Sequence, residues 1–325
     1  MPPQVSMLIS IVIPAFNRPE LLLEAARSIA AQTSSNFEVV VIDNGSTPPI
    51  SSAMLENVLG SRVRLHRYES PLGVPRAKNA GVRAARGEVV LLLDDDDLLT
   101  PDAVETLLTA FAHHPELDCI FLGVRPFGAY ADGPAKNRLL ALDKVISRTK
   151  PQLADGLYFF GEDVFAALLE TVPIDFQRPA ARRSAWNIIG GFDENCLFSE
   201  SAWAVRAASI ATIALSHEAL TEWRIHGDNF GWPANMTLDD IRQRQMENGL
   251  SSARSLTSSF DREREEWSLR ASSTRKMLAD QLFDKAYYLV DRNRREGLLA
   301  LLSSMRLAPA LRHLKLALKY CLPGL

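Results

Sequence analysis

The chain is short of cysteine, of long apolar runs and of excess charge of either sign. Its three cysteines, Cys119, Cys196 and Cys321, are odd in number and far apart among 325 residues. That spacing builds neither a disulfide framework nor a zinc site, and it fits a reducing compartment. No apolar run approaches the roughly 20 residues that span a bilayer. The first residues lack a basic region leading into an apolar stretch, so no secretory leader is expected. A net charge of −3 and a pI near 6.1 give no electrostatic footprint for nucleic acid. A glycine-rich phosphate loop early in the chain is missing too, which argues against a nucleotidyltransferase. The composition predicts a soluble cytoplasmic protein that binds no nucleic acid.

What the chain does have is an acidic run. Val89 to Leu93 are five apolar residues that read as a buried strand, and they end in Asp94, Asp95, Asp96 and Asp97. An unpaired carboxylate is costly to bury, so the acids are expected to emerge at the strand's carboxyl end. Four like charges repel unless a cation or several donors neutralise them. A hard divalent ion shared with substrate phosphates is one solution. A solvated acidic turn is the other, with Asp97 capping a helix whose first turn holds Pro101 and Asp102.

Around this run, strands alternate with helices. Ser10–Pro14, Phe37–Ile42 and Val63–Tyr68 read as strands, the first stopped by Pro14. Glu20–Ala31, Ala77–Ala85 and Pro101–Ala112 carry helical spacing. This alternation predicts βαβ units and a mostly parallel sheet, with ligands beyond the carboxyl ends of the strands. Pro14-Ala15-Phe16-Asn17, Asp43-Asn44 and Asp94–Asp97 all fall at that edge, a pattern expected of a nucleotide site. Asp118–Pro179 reads as short strands and variable loops. After Asn235 the chain becomes helical: Leu238–Leu250, Arg262–Tyr288, and Glu296–Leu322 with a break near Pro309.

Six segments together carry a family pattern. They are Ser10–Arg18, Val41–Thr47, Gly73-Val74 with Lys78–Gly81, Leu93–Asp97, Gly190–Glu194 and Trp223–His226. In this order and spacing, over roughly Ser10 to Asn229, the chain resembles family-2 glycosyltransferases. The resemblance implies a GT-A fold, an α/β architecture whose mostly parallel central sheet is flanked by helices. It implies a nucleotide-sugar half over about 8–115, an acceptor half over about 116–233, and here a helical extension over 234–325. It also implies inverting transfer of a sugar from a UDP-, dTDP- or GDP-linked donor to a saccharide or lipid-linked hydroxyl, with Mg²⁺ or Mn²⁺ as cofactor. Assembly of a cell-surface glycan is the expected setting.

By the same resemblance, Pro14, Ala15, Asn17, Arg18, Asp43, Asn44, Lys78, Asp94 and Asp95 would line the nucleotide-sugar. Asp43 would accept a base N–H, Asp96 would ligate the metal, and His226 would be a further ligand near the leaving group. Lys78 stands where the family usually has arginine, keeping the charge but losing the bidentate fork. Asn44 replaces the more usual aspartate. The usual Glu-Asp pair after Gly190–Glu194 reads Glu200-Ser201. Serine is no general base near neutral pH, so Glu200 is the expected catalytic base, with Asp193 in reserve. A non-catalytic nucleotide-sugar-binding protein of the same fold is the alternative.

The tail stands apart from this pattern. Leu311, Leu314, Leu318 and Leu322 share a helical face, and from Leu301 onward there are four basic residues and no acidic ones. Such a helix lies on an anionic membrane surface, at the inner face of the membrane, or packs its leucines on the catalytic domain or on a second subunit as a homodimer.

Overall fold

The computed structural model describes residues 7–196, 198–226, 237–260 and 268–321. In chain order the first elements are β1 (Ile9–Ala15), α1 (Pro19–Ala30), β2 (Phe37–Asn44), α2 (Ser52–Leu59), β3 (Val63–Tyr68), α3 (Val74–Ala84) and β4 (Val89–Leu92). Next come β5 (Leu98–Leu99), α4 (Ala103–His113), β6 (Cys119–Phe127), α5 (Asp132–Thr149), β7 (Gln152–Ala154), β8 (Leu157–Phe159) and α6 (Asp163–Glu170). Then follow β9 (Pro179–Arg182), α7 (Arg183–Ile189), α8 (Ser199–Ile210) and β10 (Ile213–Arg224). Four helices end the chain: α9 (Leu238–Phe260), α10 (Ser268–Leu289), α11 (Arg294–Leu307) and α12 (Leu311–Cys321).

The chain divides into two compact units. One takes Met1–Glu194 with Trp203–Ala234, and the other takes Asn195–Ala202 with Asn235–Leu325. The expected boundary at 233/234 lies outside the described residues, as do the Asn229 end of the motif pattern, the Arg262 start of a helix and Leu322. No helix among the described residues is long and apolar enough to cross a membrane.

The first unit is built on one ten-stranded sheet in the order β3-β2-β1-β4-β9-β6-β10-β8-β7, with β5 paired to β10. β1 to β4 run parallel, and β10 runs parallel to β6. β9 is inserted antiparallel between β4 and β6. The expected mostly parallel sheet is present, with β9 reversed at its centre and β5 and β8 antiparallel to β10. Central strands covered on both faces are near-continuously apolar, which is why β1 reads Ile-Ser-Ile-Val-Ile, its serine bonded to Glu38, and β4 Val-Val-Leu-Leu. Ile9, Ile11 and Ile13 share one core cluster with Leu22, Ala26 and Ile29 of α1 and Val104, Leu107 and Phe111 of α4. Val12 of β1 and Ile42 of β2 meet α3 at Gly81.

Two local expectations change. β1 does not stop at Pro14 but runs to Ala15, pairing Pro14 with Ile42 and Ala15 with Asp43. Its ladder with β4 ends at Val12, so the proline lies beyond one neighbour's reach. β2 runs past the expected Phe37–Ile42 to include Asp43 and Asn44.

The second unit gathers Leu250, Leu282, Ala286, Val290, Ala300, Leu301, Leu316 and Tyr320 into its own core. Tyr320 of α12 donates its hydroxyl to the Ala286 carbonyl, and Gly297 leaves room for that ring.

Gly81 supplies the fold test. A Cβ there would stand 2.1 Å from Val12 Cγ1, inside the α3–β1 contact. Gly81→Ala should therefore lose about 1–3 kcal/mol, the usual result of overpacking a filled core. An unchanged urea midpoint would remove that close approach.

Candidate active site

The carboxyl edge of the parallel strands collects the polar loops. Asn17 has a left-handed backbone, φ 55°, which asparagine tolerates better than most residues. That turn lets it tie two loops together. Its N–H donates to Ser46 Oγ (3.0 Å), and its Oδ1 accepts from Thr47 N–H (2.8 Å). Pro14 and Ala15 lie directly before it at the end of β1. Asp43 is fully buried and accepts from Ser46 N–H (2.9 Å), Ile50 N–H (3.1 Å) and the Arg67 guanidinium. Burial raises its pKa, but these donors outweigh that and hold it below the usual carboxylate range. Asn44 Oδ1 accepts from Leu72 N–H at 2.7 Å, fastening the loop that leads to α3.

The acidic run differs from expectation in exposure. Asp95, Asp96 and Asp97 are buried, and each is met by a donor. Arg178 places Nε 2.9 Å from Asp97 Oδ2 and a second guanidinium nitrogen on the same oxygen. Asp97 Oδ1 accepts from Arg224 N–H at 3.0 Å, so Asp97 is an interior anchor and not a helix cap. Lys78 Nζ sits 2.8 Å from Asp94 Oδ1. Arg18, expected to line the nucleotide-sugar and standing at the N-cap of α1, sends Nη1 to Asp96 Oδ2 (2.8 Å) and Asp95 Oδ1 (3.4 Å). Phe16 N–H donates to Asp95 Oδ2 at 3.2 Å.

These contacts decide the charge state of the run. Burial would raise Asp94, but the Lys78 and Arg178 charges outweigh it and hold the group low. Burial pushes Asp95 up to about 7, with the Asp96 charge adding to the rise and Arg18 opposing it. Asp97 is likewise pushed up to about 7 by burial, against the pull of Arg178. A site that raises carboxylates this far favours added positive charge.

His226 follows the end of β10, and its Nε2 stands 3.2 Å from Asp96 Oδ2. Two donors each about 2.1 Å from one octahedral ion lie about 3 Å apart. The Asp96–His226 pair therefore suits two neighbouring positions on one Mg²⁺ or Mn²⁺ ion. Among the described residues no group of three or more His, Cys, Asp or Glu could hold a metal alone. The remaining ligands would be donor phosphate oxygens and water, as is usual for such ions.

Pairing across the sheet explains how these side chains meet. β9 opposes Leu91 with Ala180, so its register continued by two sets Arg178 beside Leu93 at the head of the acids. β5 opposes Leu98 with Glu222, and the same continuation sets Arg224 beside Asp96. Arg224 Nε donates to the Asp96 carbonyl at 2.9 Å.

Asn79 clamps the Gly190–Glu194 motif. Its Oδ1 accepts from Phe192 N–H (2.8 Å), and its Nδ2 donates to the Phe192 carbonyl (2.9 Å). Asn79 and Arg224 fall inside the motifs read from the sequence, without an assigned role there. Arg67 and Arg178 had no local signal. Glu200 lies in the first turn of α8, with Ser199 Oγ 3.3 Å from its Oε2. It belongs to the segment grouped with the second unit.

A parallel nucleotide-type half-sheet with an acidic run at its carboxyl edge, continued into a mixed half-sheet, defines the GT-A class of α/β fold. The family model for glycosyl transferase family 2 matches residues 10–185. The chain belongs to that family. Glycosyltransferase GlyG of Streptococcus pneumoniae is 36% identical over 105 residues, 31% of this chain and 34% of GlyG. The chain thus spans about a third of that relative. S. aureus TarS 1–349, solved with UDP-GlcNAc, aligns over 93% of this chain and 82% of its own at TM-score 0.61 and 17% identity. The mannosyltransferase PcManGT of Pyrobaculum calidifontis, solved with GDP-Man and Mn²⁺, aligns over 97% and 79% at TM-score 0.56 and 16% identity.

The Arg178–Asp97 pair makes a clear test, since both side chains are buried. Arg178→Met strands a buried carboxylate and should remove about 3–5 kcal/mol of stability in urea unfolding. Adding Asp97→Asn should recover most of that loss. A cost below about 1 kcal/mol would make the pair no stronger than a surface bridge.

Proposed function

We propose that the chain transfers a sugar, with inversion, from a nucleotide-diphospho-sugar to a hydroxyl on a saccharide or lipid-linked acceptor. The observation that carries this reading is Asp96 Oδ2 held 3.2 Å from His226 Nε2 at the carboxyl edge of the parallel strands. There a divalent ion would draw charge from the departing nucleoside diphosphate. The complexes of TarS with UDP-GlcNAc and PcManGT with GDP-Man and Mn²⁺ support the donor class and the metal. We assign Mg²⁺ or Mn²⁺ to Asp96 and His226. The nucleotide-sugar falls to Pro14, Ala15, Asn17, Arg18, Asp43, Asn44, Lys78, Asp94 and Asp95.

Asp43 spends its oxygens on Ser46, Ile50 and Arg67, and a base N–H would take the remaining lone-pair direction. Lys78 and Arg18 stand close to where phosphate oxygens would lie, so the donor would take over part of their pairing with Asp94 and Asp96. Glu200 is assigned as the base that takes the acceptor proton as the hydroxyl attacks the anomeric carbon. The widely spaced cysteines support work in a reducing cytoplasm, and assembly of a surface glycan is the setting proposed. A nucleotide-sugar-binding protein without transfer is the rival reading, favoured by serine at position 201.

A panel of nucleotide sugars, screened by thermal shift with and without Mn²⁺ and then by transfer, tests the assignment. Asp96→Ala should abolish the Mn²⁺-dependent part of donor binding, and donor affinity equal to the parent's would remove the metal site. Glu200→Gln should bind donor normally and transfer about 10²–10⁴-fold more slowly. Equal rates would shift the base to Asp193. Donor binding by the parent with no transfer from any sugar tested would favour the binding protein.

A further inference from the structure

Helix α12 carries two apolar stripes. At about 3.6 residues per turn, His313, Leu316 and Tyr320 fall on one side and Leu311, Leu314 and Leu318 on the other. The first stripe is buried, with His313 accepting or donating at 2.8 Å to Ser304 Oγ and Leu316 and Tyr320 in the helical core. The second is bare: Leu311 is 81%, Leu314 57% and Leu318 60% exposed. Lys315, Lys319 and Arg312 lie along one flank of the bare stripe, between it and the buried one. Arg312 is paired with Asp280, and Lys319 Nζ rests 5.2 Å over the Tyr287 ring, while Lys315 is exposed.

We propose that this face of α12 docks on the surface of an anionic phospholipid bilayer. The charge pattern selects that occupant. No carboxylate occurs from Leu301 onward, and Arg306, Arg312, Lys315 and Lys319 all do. The three leucines span about 10 Å along one convex helix, enough to enter the headgroup boundary with the helix lying flat. Lysine stems lie along the apolar layer while their ammonium groups reach phosphates. Leucines of this kind facing water as a contiguous stripe mark an interaction surface. This inference goes beyond the sugar-transfer reading and stands or falls without it.

Co-sedimentation of the full chain with vesicles tests it. Binding is expected on phosphatidylglycerol–phosphatidylcholine vesicles, with little on phosphatidylcholine alone, and it should weaken as salt screens the charges. Leu314→Ser with Leu318→Ser should reduce partitioning more than about tenfold, since affinity scales with buried apolar area. Lys315→Gln with Lys319→Gln should reduce it about fivefold per lysine on the anionic vesicles. Because the leucines are exposed, the thermal midpoint of the leucine variant should match the parent's, which separates lost docking from lost folding. Equal binding to neutral and anionic vesicles, no binding at all, or variants that bind like the parent would each overturn the proposal. So would a parent dimer in lipid-free sedimentation velocity that the leucine substitutions convert to monomer, since a second copy would then cover the face.

Discussion

Four consecutive carboxylates at the end of a buried strand impose the constraint around which the first unit is arranged. Left alone they would repel one another and draw water into the centre of the sheet. The chain answers with a cation or amide for each. Arg178 takes Asp97, Lys78 takes Asp94, and Arg18 spans Asp95 and Asp96. Asp97 carries the fold and Asp96 is left at the edge, so neighbouring residues of one run serve different ends. The difference lies in their partners: Asp97 meets an arginine buried with it, whereas Asp96 meets a part-exposed arginine and a histidine.

The antiparallel pairings make this arrangement possible. In a βαβ sheet every strand end at the ligand edge comes from a chain segment running the same way. Such a sheet delivers loops but few side chains from the far half of the chain. Reversing β9 starts that strand where β4 stops, and the residue before its first proline faces the acids. Pairing β5 with β10 does the same for Arg224 and leads the chain on to His226. The acidic run therefore joins the two halves of the sheet through hydrogen bonds as well as through apolar packing.

The candidate site is thus organised by residues of different legibility. Asp43 was legible as a motif aspartate, but its burial against Ser46, Ile50 and Arg67 was not, because those partners come from a following loop and a neighbouring strand. Asn17 was legible as a pocket residue, whereas its left-handed backbone and its link to Thr47 depend on the loop after β2. Gly81 ends the Lys78–Gly81 motif, and only the packing of α3 on Val12 gives the reason a side chain is excluded there. Arg178 carried no signal, since a single arginine before a proline in an irregular stretch has no period to reveal it.

Local pattern by itself determined β1 to β4 and the helices α1, α3 and α4, though not α2 or β5, together with the alternation that makes the sheet parallel and the amphipathic leucines of the last helix. Those depend on spacing along the chain, because apolar residues at periods of two or of 3.6 declare which face is buried. Tertiary structure alone decided that the acids lie inside, that Asp97 is an anchor, that Asp96 and His226 stand side by side, and that the α12 leucines remain bare. The buried acids depend on side chains from other elements, up to 130 residues away for Asp96 and His226, and the bare leucines on the exposure α12 leaves them. Whether a charge can be buried is set by what lies across from it, and strand register, unlike period, is not written in any one segment.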